Sequence, residues 1–160
     1  MCSIFAWAGE IGPEVLEDLF VKGEMYGRKS AGVAYINGRG VLSAFKDAVS
    51  PSDFVKSGRL TAASNEDSAW NSRLGFGHTR APTHGRVCAE NAHPVGHNGI
   101  VYAHNGVVIN HAEFGNYEVD SQALGKLIEQ RRIGDAYGSV GLVWFTPDGQ
   151  LHCYRASQSL

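Results

Sequence analysis

Cys2 directly follows the initiator methionine and begins a short apolar run, CSIFAW. If Met1 is trimmed, Cys2 carries both a thiol and a free α-amine. The thiolate is the nucleophilic form of cysteine, and an α-amine with a pKa of about 7.7–8.0 can act as the base that generates it. Cys2 could therefore supply both nucleophile and base, although a small buried cysteine on a first strand would occupy the same position.

Two glycine-bearing segments carry groups that could bind a small anionic substrate. In GFGHTRAPTHGR, Arg80 offers a fixed fork of donors for a carboxylate, and Thr83 and His84 add donors beside it. A polar loop with one surface salt bridge is the alternative. In AHNGVVINH, Asn105 and Gly106 could direct a side-chain amide and a backbone N–H at one developing oxyanion, whereas Asn-Gly more commonly forms a plain hairpin turn.

Asp120, in EVDSQAL, could hold an ammonium group or could cap the helix that follows it. Several histidines between residues 78 and 111 raise the question of a metal site. The one histidine pair with i, i+4 spacing, His93 and His97, lies in a segment without helical periodicity. This stretch also lacks a C-x-x-C motif, and no second acidic ligand lies nearby. We therefore expect no metal and no cofactor.

Length and composition define the broad class of the protein. The chain has 160 residues, 43% of them hydrophobic, a net charge of −2 and twenty glycines. It is long enough for one sizeable core, and its small negative net charge does not indicate binding to nucleic acid or to an anionic membrane. Three cysteines at uninformative spacings favour a reducing compartment, and no signal peptide or membrane-spanning run is visible. We expect a cytoplasmic protein without nucleic-acid or membrane partners.

The strands that must position these residues follow short apolar runs between glycines. Strands are predicted for CSIFAWAG, for the hairpin SAGVAYING–GVLSAFKDA, for RLGFGHTRAP, for IVYAHNG as far as its Asn-Gly pair, and for the hairpin around TPDGQ. The segment from residue 83 to 99 is predicted to be a loop. These strands favour an α+β fold with largely antiparallel sheets.

Two helices are predicted from the apolar periodicity. GPEVLEDLFVKGEM has apolar residues at helical spacing, namely Val15, Leu16, Leu19 and Phe20. DSQALGKLIEQRR begins with Asp120 as a predicted N-cap. One or two short helices with a mobile joint are predicted over residues 51–70.

Taken together, these segments resemble the glutaminase domain of class II glutamine amidotransferases, which are N-terminal-nucleophile hydrolases. MCSIFAW is similar to the start of the asparagine synthetase branch. The glucosamine-6-phosphate synthase and amidophosphoribosyltransferase branch has segments similar to SAGVA, GHTRAPTHG, NAHP and HNGVVINH. VDSQAL is similar to the family's Asp-Ser/Thr-Glu segment, and residues 134–160 are similar to its later hairpin. The resemblance covers residues 2–48 and 74–160 in the family's order. It implies a compact four-layer αββα sandwich of two largely antiparallel sheets.

The resemblance also implies a reaction. Cys2, exposed by removal of Met1, would attack the side-chain amide of L-glutamine while its own α-amine manages the proton. Asn105 and the backbone of Gly106 would form the oxyanion hole. A thioester on Cys2 would then be hydrolysed, releasing glutamate and ammonia.

The same resemblance implies how glutamine would be held. Arg80, helped by Thr83 and His84, would bind its α-carboxylate. Asp120 would hold its α-ammonium group.

Several positions depart from the family pattern R-G-x-D-S-A-G. Here the segment is YGRKSAG, with Tyr26 in place of the arginine and Lys29 in place of the aspartate, and Arg28 could stand in for the arginine. Ala81 and Pro82 occupy a pair that is commonly Trp-Ala in the family. These changes affect the predicted wall of the pocket and its closure over glutamine.

We expect residues 2–160 to form a single glutaminase domain without a synthase domain. Its ammonia would pass to a separate synthase or be released, and a homo-oligomer is compatible with the sequence. A phage genome could encode such a copy, in which case the host cytoplasm would be its location. The alternatives are a catalytically weak or inactive glutaminase-like module that binds glutamine or a partner protein, and an amidohydrolase for another γ-glutamyl or small amide.

Overall fold

The computed structural model of the chain describes residues 2–60, 68–82 and 85–158. Two four-stranded antiparallel sheets form its centre. The first contains β1 (Ser3–Ala8), β2 (Ser30–Ile36), β3 (Leu42–Asp47) and β4 (Leu74–Arg80), in the spatial order β1-β4-β2-β3. The second contains β5 (Val95–His97), β6 (Ile100–Val108), β7 (Gly138–Phe145) and β8 (Leu151–Gln158), in that spatial order.

Among the described residues, three α-helices cover the outer faces of the sheets: α1 (Pro13–Gly23), α2 (Pro51–Lys56) and α3 (Ala123–Glu129). α1 and α2 both begin with proline, whose fixed φ suits the first turn of a helix. The Ser50 hydroxyl caps α2 by accepting the Asp53 backbone N–H at 3.1 Å. Short 3₁₀ turns occur at Ala69–Asn71, His111–Glu113, Asp120–Gln122 and Ile133–Asp135.

Three apolar clusters separate four layers. Phe20 and Phe54 bring α1 and α2 onto the first sheet, and Leu124 and Leu127 bring α3 onto the second. Between the sheets, the packed residues are Ala34, Phe76, Ala103, Val143 and Phe145. Burial of a large apolar side chain stabilises the fold by about 1.5–3 kcal/mol, so each interface contributes several times that amount. The predicted αββα sandwich is confirmed.

Most of the predicted elements lie where the sequence placed them, including both helices and both predicted hairpins. On α1, Leu16 and Phe20 are buried, whereas Val15 is 55% exposed and lies off the packed face. α2 confirms a short helix in the polar segment 51–70. Residues 61–67, where a mobile joint was predicted, lie outside the described residues.

The two Asn-Gly pairs near residue 100 have different conformations: the first forms a turn inside the segment predicted as loop, and the second does not end its strand as predicted. Asn98 and Gly99 have φ values of 46° and 80°, the left-handed values that a tight two-residue hairpin requires. They join β5 to β6, so a short strand lies within the segment predicted as loop. Asn105 and Gly106, by contrast, do not end their strand, because pairing with β7 continues to Val108.

Asp120 does not cap its helix. It begins a 3₁₀ turn that precedes α3, and its buried carboxylate accepts the backbone N–H of Val108 at 2.8 Å. The carboxylate thus joins the segment before α3 to the end of β6. Because the Asp120 carboxylate is bonded to β6, it does not bond to the N-terminus of α3, which has no side-chain cap.

None of the helices within the described residues is long and apolar enough to cross a membrane.

Candidate active site

Cys2 lies immediately before β1, beside the end of β4. The pairing of Ser3 with Thr79 sets this position, because it brings the start of β1 to the residues that end β4. The Cys2 Sγ lies 3.4 Å from the Ala81 carbonyl oxygen, to which it donates, and 3.4 Å from the Ala81 backbone nitrogen, which donates to it. The thiol is therefore held on backbone groups next to Arg80.

Asn105 contacts Cys2 from the opposite sheet. Its Nδ2 donates to the Cys2 carbonyl oxygen at 2.9 Å, and its Oδ1 accepts from the Cys2 nitrogen at 3.4 Å. A side-chain amide carries two N–H groups, so the bond to Cys2 leaves one for another acceptor. The predicted nucleophile and the predicted oxyanion donor thus lie together.

Gly106 occupies a position that only glycine can fill. Its φ is +146°, and a Cβ atom added there would lie 1.8 Å from the Ser139 carbonyl oxygen on β7. The His104 Nε2 would be 3.1 Å from the same Cβ. The backbone beside Asn105 can therefore be approached closely only because position 106 lacks a side chain.

Arg80 and Asp120 are both buried and both act electrostatically on the thiol. Burial is the main cause that raises the pKa of Cys2 above its usual value, opposed by the Ala81 backbone N–H and the positive charge of Arg80, while the negative charge of Asp120 raises it further. A raised pKa means that the thiol is protonated at neutral pH. Ionisation of Cys2 therefore calls for a base close to the sulfur.

The Arg80 guanidinium also donates to the carbonyl oxygen of Arg86 through Nη1, at 3.2 Å. The Asn91 side-chain amide donates to the same oxygen at 3.2 Å, and the Arg86 backbone N–H donates to the Glu118 carboxylate at 3.1 Å. These bonds join the end of β4 to the segment around residues 85–91 and to the turn before Asp120.

A cleft of about 750 Å³ reaches Asn105 and Gly106 from between the sheets. Its walls come from β1, including Phe5, and from β7 and β8, including Gly141 and Arg155. Gly141 pairs with Asn105 on one side and Arg155 on the other, so a position without a side chain lies between them. Asn105 and Gly106 therefore form part of the wall of this cleft.

The other predictions made for this site concern two substrate-binding residues and the pocket-wall segment YGRKSAG. Thr83 and His84 lie outside the described residues. Tyr26 is 52% exposed, and Arg28 and Lys29 are also exposed, although the Lys29 backbone N–H donates to the Arg80 carbonyl oxygen at 3.0 Å.

Three buried residues beside the site were not identified as functional from the sequence. His78 Nε2 lies 3.0 Å from the His104 carbonyl oxygen, and His104 Nδ1 lies 2.9 Å from the Ser121 hydroxyl. The sequence did contain a signal for His78, because the two-residue period of a strand places it on the same face of β4 as Arg80. Within the described ranges, no group of three His, Cys, Asp or Glu side chains is arranged to hold a metal ion.

Comparison with known proteins places this geometry in a family. No family model matches the chain. It is 32% identical over 145 residues to the glutamine–fructose-6-phosphate aminotransferase of Acidithiobacillus ferridurans, covering 82% of this chain and 22% of that protein. It is 31% identical over 142 residues to the enzyme of the same name from Oceanobacillus iheyensis, covering 81% of this chain and 22% of that protein.

This chain belongs to the class II glutamine amidotransferase family. It spans about a fifth of the length of the curated relatives that it matches. Its fold matches that of the glutamine phosphoribosylpyrophosphate amidotransferase from B. subtilis, with a TM-score of 0.72 at 19% identity over 97% of this chain and 37% of that one. The two sheets and few helices are those of an N-terminal-nucleophile hydrolase domain in the amidotransferase family.

Proposed function

We propose that this amidotransferase domain hydrolyses L-glutamine to glutamate and ammonia, with Cys2 as the N-terminal nucleophile after removal of Met1. The contact of Asn105 with the backbone nitrogen and carbonyl oxygen of Cys2 carries the proposal, because a side-chain amide then lies beside the proposed nucleophile and the nitrogen that would become its α-amine. The printed name of the curated relatives gives glutamine as their substrate, which supports the same choice here.

In the first half of the reaction, the Cys2 α-amine takes the thiol proton and the sulfur attacks the side-chain carbonyl carbon of glutamine. The oxyanion that forms accepts the second N–H of Asn105 Nδ2 and the backbone N–H of Gly106. The Cys2 α-ammonium group then returns its proton to the leaving nitrogen of the glutamine side chain. The C–N bond breaks, ammonia departs and a γ-glutamyl thioester remains on Cys2.

In the second half, water attacks the thioester with the α-amine as base, and the same two donors hold the oxyanion. The C–S bond breaks, the sulfur recovers a proton and glutamate leaves. Arg80 binds the α-carboxylate of the substrate, and Asp120 binds its α-ammonium group, in both halves. Ammonia passes to a separate synthase or into solution.

The test compares untagged wild type with Cys2→Ser, and uses Cys153→Ser, an exposed cysteine on β8, as the matched control. Intact mass establishes whether Met1 is removed, and a coupled assay measures glutamate release from glutamine. We expect a trimmed N-terminus and turnover in wild type and Cys153→Ser, and none in Cys2→Ser. Treatment with 6-diazo-5-oxo-norleucine should add one label, on Cys2.

Retention of Met1 in the purified protein would rule out the N-terminal nucleophile. A trimmed protein that binds glutamine without hydrolysing it or accepting the label would instead be a glutamine-binding module.

A further inference from the structure

His78 connects the two sheets beside the candidate site. It lies on β4 two residues before Arg80, and its Nε2 is 3.0 Å from the carbonyl oxygen of His104 on β6. A carbonyl oxygen can only accept, so Nε2 carries the proton and donates. The acceptor belongs to the residue immediately before Asn105.

His104 extends this connection to the segment before α3. Its Nδ1 is 2.9 Å from the hydroxyl of Ser121, which directly follows Asp120. All three side chains are buried, with exposures of 0% for His78, 2% for His104 and 4% for Ser121. We call this set, His78–His104–Ser121, the buried hydrogen-bond chain.

Each member of the buried hydrogen-bond chain is a close neighbour in sequence of one substrate-binding or oxyanion residue. Arg80 is two residues from His78 on the same strand face, Asn105 follows His104, and Asp120 precedes Ser121. We propose that the buried hydrogen-bond chain sets the spacing between Arg80, Asn105 and Asp120, and that His78 is a positioning residue for glutamine hydrolysis. This inference rests on the proposed function.

The chemistry of His78 fits a positioning role better than simple packing. Burial of a polar ring is costly, and among the described residues the His78 ring has a partner at Nε2 but none at Nδ1. An apolar ring would fill the same space between the sheets without that cost. Burial lowers the pKa of His78 to about 3, so the ring is neutral at neutral pH and has a single N–H to donate. That N–H is the one bonded to the His104 carbonyl.

His93 provides a matched control. Its ring lies 4.3 Å from that of His78, centroid to centroid, and it is equally a buried histidine. Neither of its ring nitrogens has a hydrogen-bond partner within the described part of the chain. His93→Phe therefore keeps an aromatic ring beside His78 and removes no bond of the buried hydrogen-bond chain.

The test measures kcat and KM for glutamine in wild type, His78→Phe, His78→Gln and His93→Phe, at a temperature where circular dichroism shows each to be folded. We expect His78→Phe to lower kcat/KM at least tenfold, through both a lower kcat and a higher KM. His78→Gln, whose amide nitrogen reaches the place of Nε2, should recover at least a third of the wild-type value. His93→Phe should remain within twofold of wild type.

If His78→Phe does not fold, His78→Gln is compared with His78→Asn, whose amide is too short to reach the His104 carbonyl, and only Gln should retain activity. Equal kcat/KM in wild type and His78→Phe, or in Gln and Asn, would overturn the positioning role while leaving the proposed function intact. A wild type that releases no glutamate and takes no 6-diazo-5-oxo-norleucine label would overturn both.

Discussion

The side-chain amide of Asn105 holds the backbone of Cys2 at both ends, donating to its carbonyl at 2.9 Å and accepting from its nitrogen at 3.4 Å. These two residues come from different sheets and are 103 positions apart in the chain. In the trimmed protein, the same Oδ1 would orient the α-amine toward the sulfur. One amide would therefore align the base and also stabilise the oxyanion.

Asn105→Asp is expected to lower kcat by about 10²–10³-fold, because the amide that donates to the oxyanion is replaced by a negatively charged carboxylate of similar size. Asn116→Asp, which makes the same change on an exposed residue, should leave kcat within twofold. Steady-state glutamate release, with circular dichroism to verify folding, measures both. Similar rates in the two variants would show that Asn105 is not an oxyanion donor.

A permanent N-terminal extension is expected to abolish turnover without unfolding the protein. The Cys2 nitrogen would then be an amide, which cannot take the thiol proton, and the thiol itself has a raised pKa. A protease-cleavable tag ending directly before Cys2 provides the comparison, because one sample can be assayed before and after cleavage. Equal glutamate release in both states would exclude the α-amine as the base.

The apolar periodicity of the sequence was sufficient to predict an α+β fold with largely antiparallel sheets, whereas the four-layer arrangement was implied by the family resemblance. Strands of six to nine residues and the helix face carrying Leu16 and Phe20 are local patterns, and the paired sheets bury them as expected. The two Asn-Gly pairs show the limit of this approach. Their dipeptides are identical, and only the long-range pairing of β6 with β7 determines that the second is part of a strand.

The contacts that support the candidate site residues were not predicted from the sequence. The carboxylate of Asp120 looked like a helix cap because the helix signal is local, whereas its observed partner, the Val108 N–H, lies on a different element. His78 and His104 were considered only as metal ligands, because their bond joins strands 26 residues apart. Hydrogen bonds between elements depend on tertiary packing, which a single sequence does not reveal.

Arg80→Lys is expected to raise KM for glutamine by about 10–100-fold, because lysine keeps the charge and loses the planar fork that matches a carboxylate. Arg73→Lys, on an exposed residue of the preceding segment, is the matched control and should leave KM unchanged. 4-Aminobutanamide, which lacks the α-carboxylate, should be hydrolysed equally poorly by wild type and Arg80→Lys. A large difference on that analogue would contradict the assigned role of Arg80.

Gly106→Ala is expected to destabilise the protein by about 3 kcal/mol or more, because the new methyl would meet the Ser139 carbonyl at 1.8 Å in a backbone conformation that favours glycine. Gly134→Ala is the control, since a Cβ there has no atom within 4 Å and its φ is not in the left-handed region. It should change stability by less than about 1 kcal/mol. Urea unfolding measures both, and equal stability in the two variants would refute the predicted clash.

Stability is expected to fall as the pH is lowered from 7.5 to 5.5, because burial lowers the pKa values of His78, His93 and His104. The unfolded chain then binds protons near pH 6.5 that the folded chain does not bind. The free energy of unfolding therefore falls by up to about 1.4 kcal/mol per histidine for each pH unit below that value. After burial, positive charge on the neighbouring His78 and His104 contributes most to the lowered pKa of His93, followed by Arg80 and Lys46. At His104 the negative charge of Asp120 opposes the lowering.

Urea unfolding at a series of pH values tests this, with His93→Phe as the comparison, because that variant should take up one proton fewer on unfolding and show a shallower slope. Equal slopes in wild type and His93→Phe would mean that His93 is not held neutral in the folded protein.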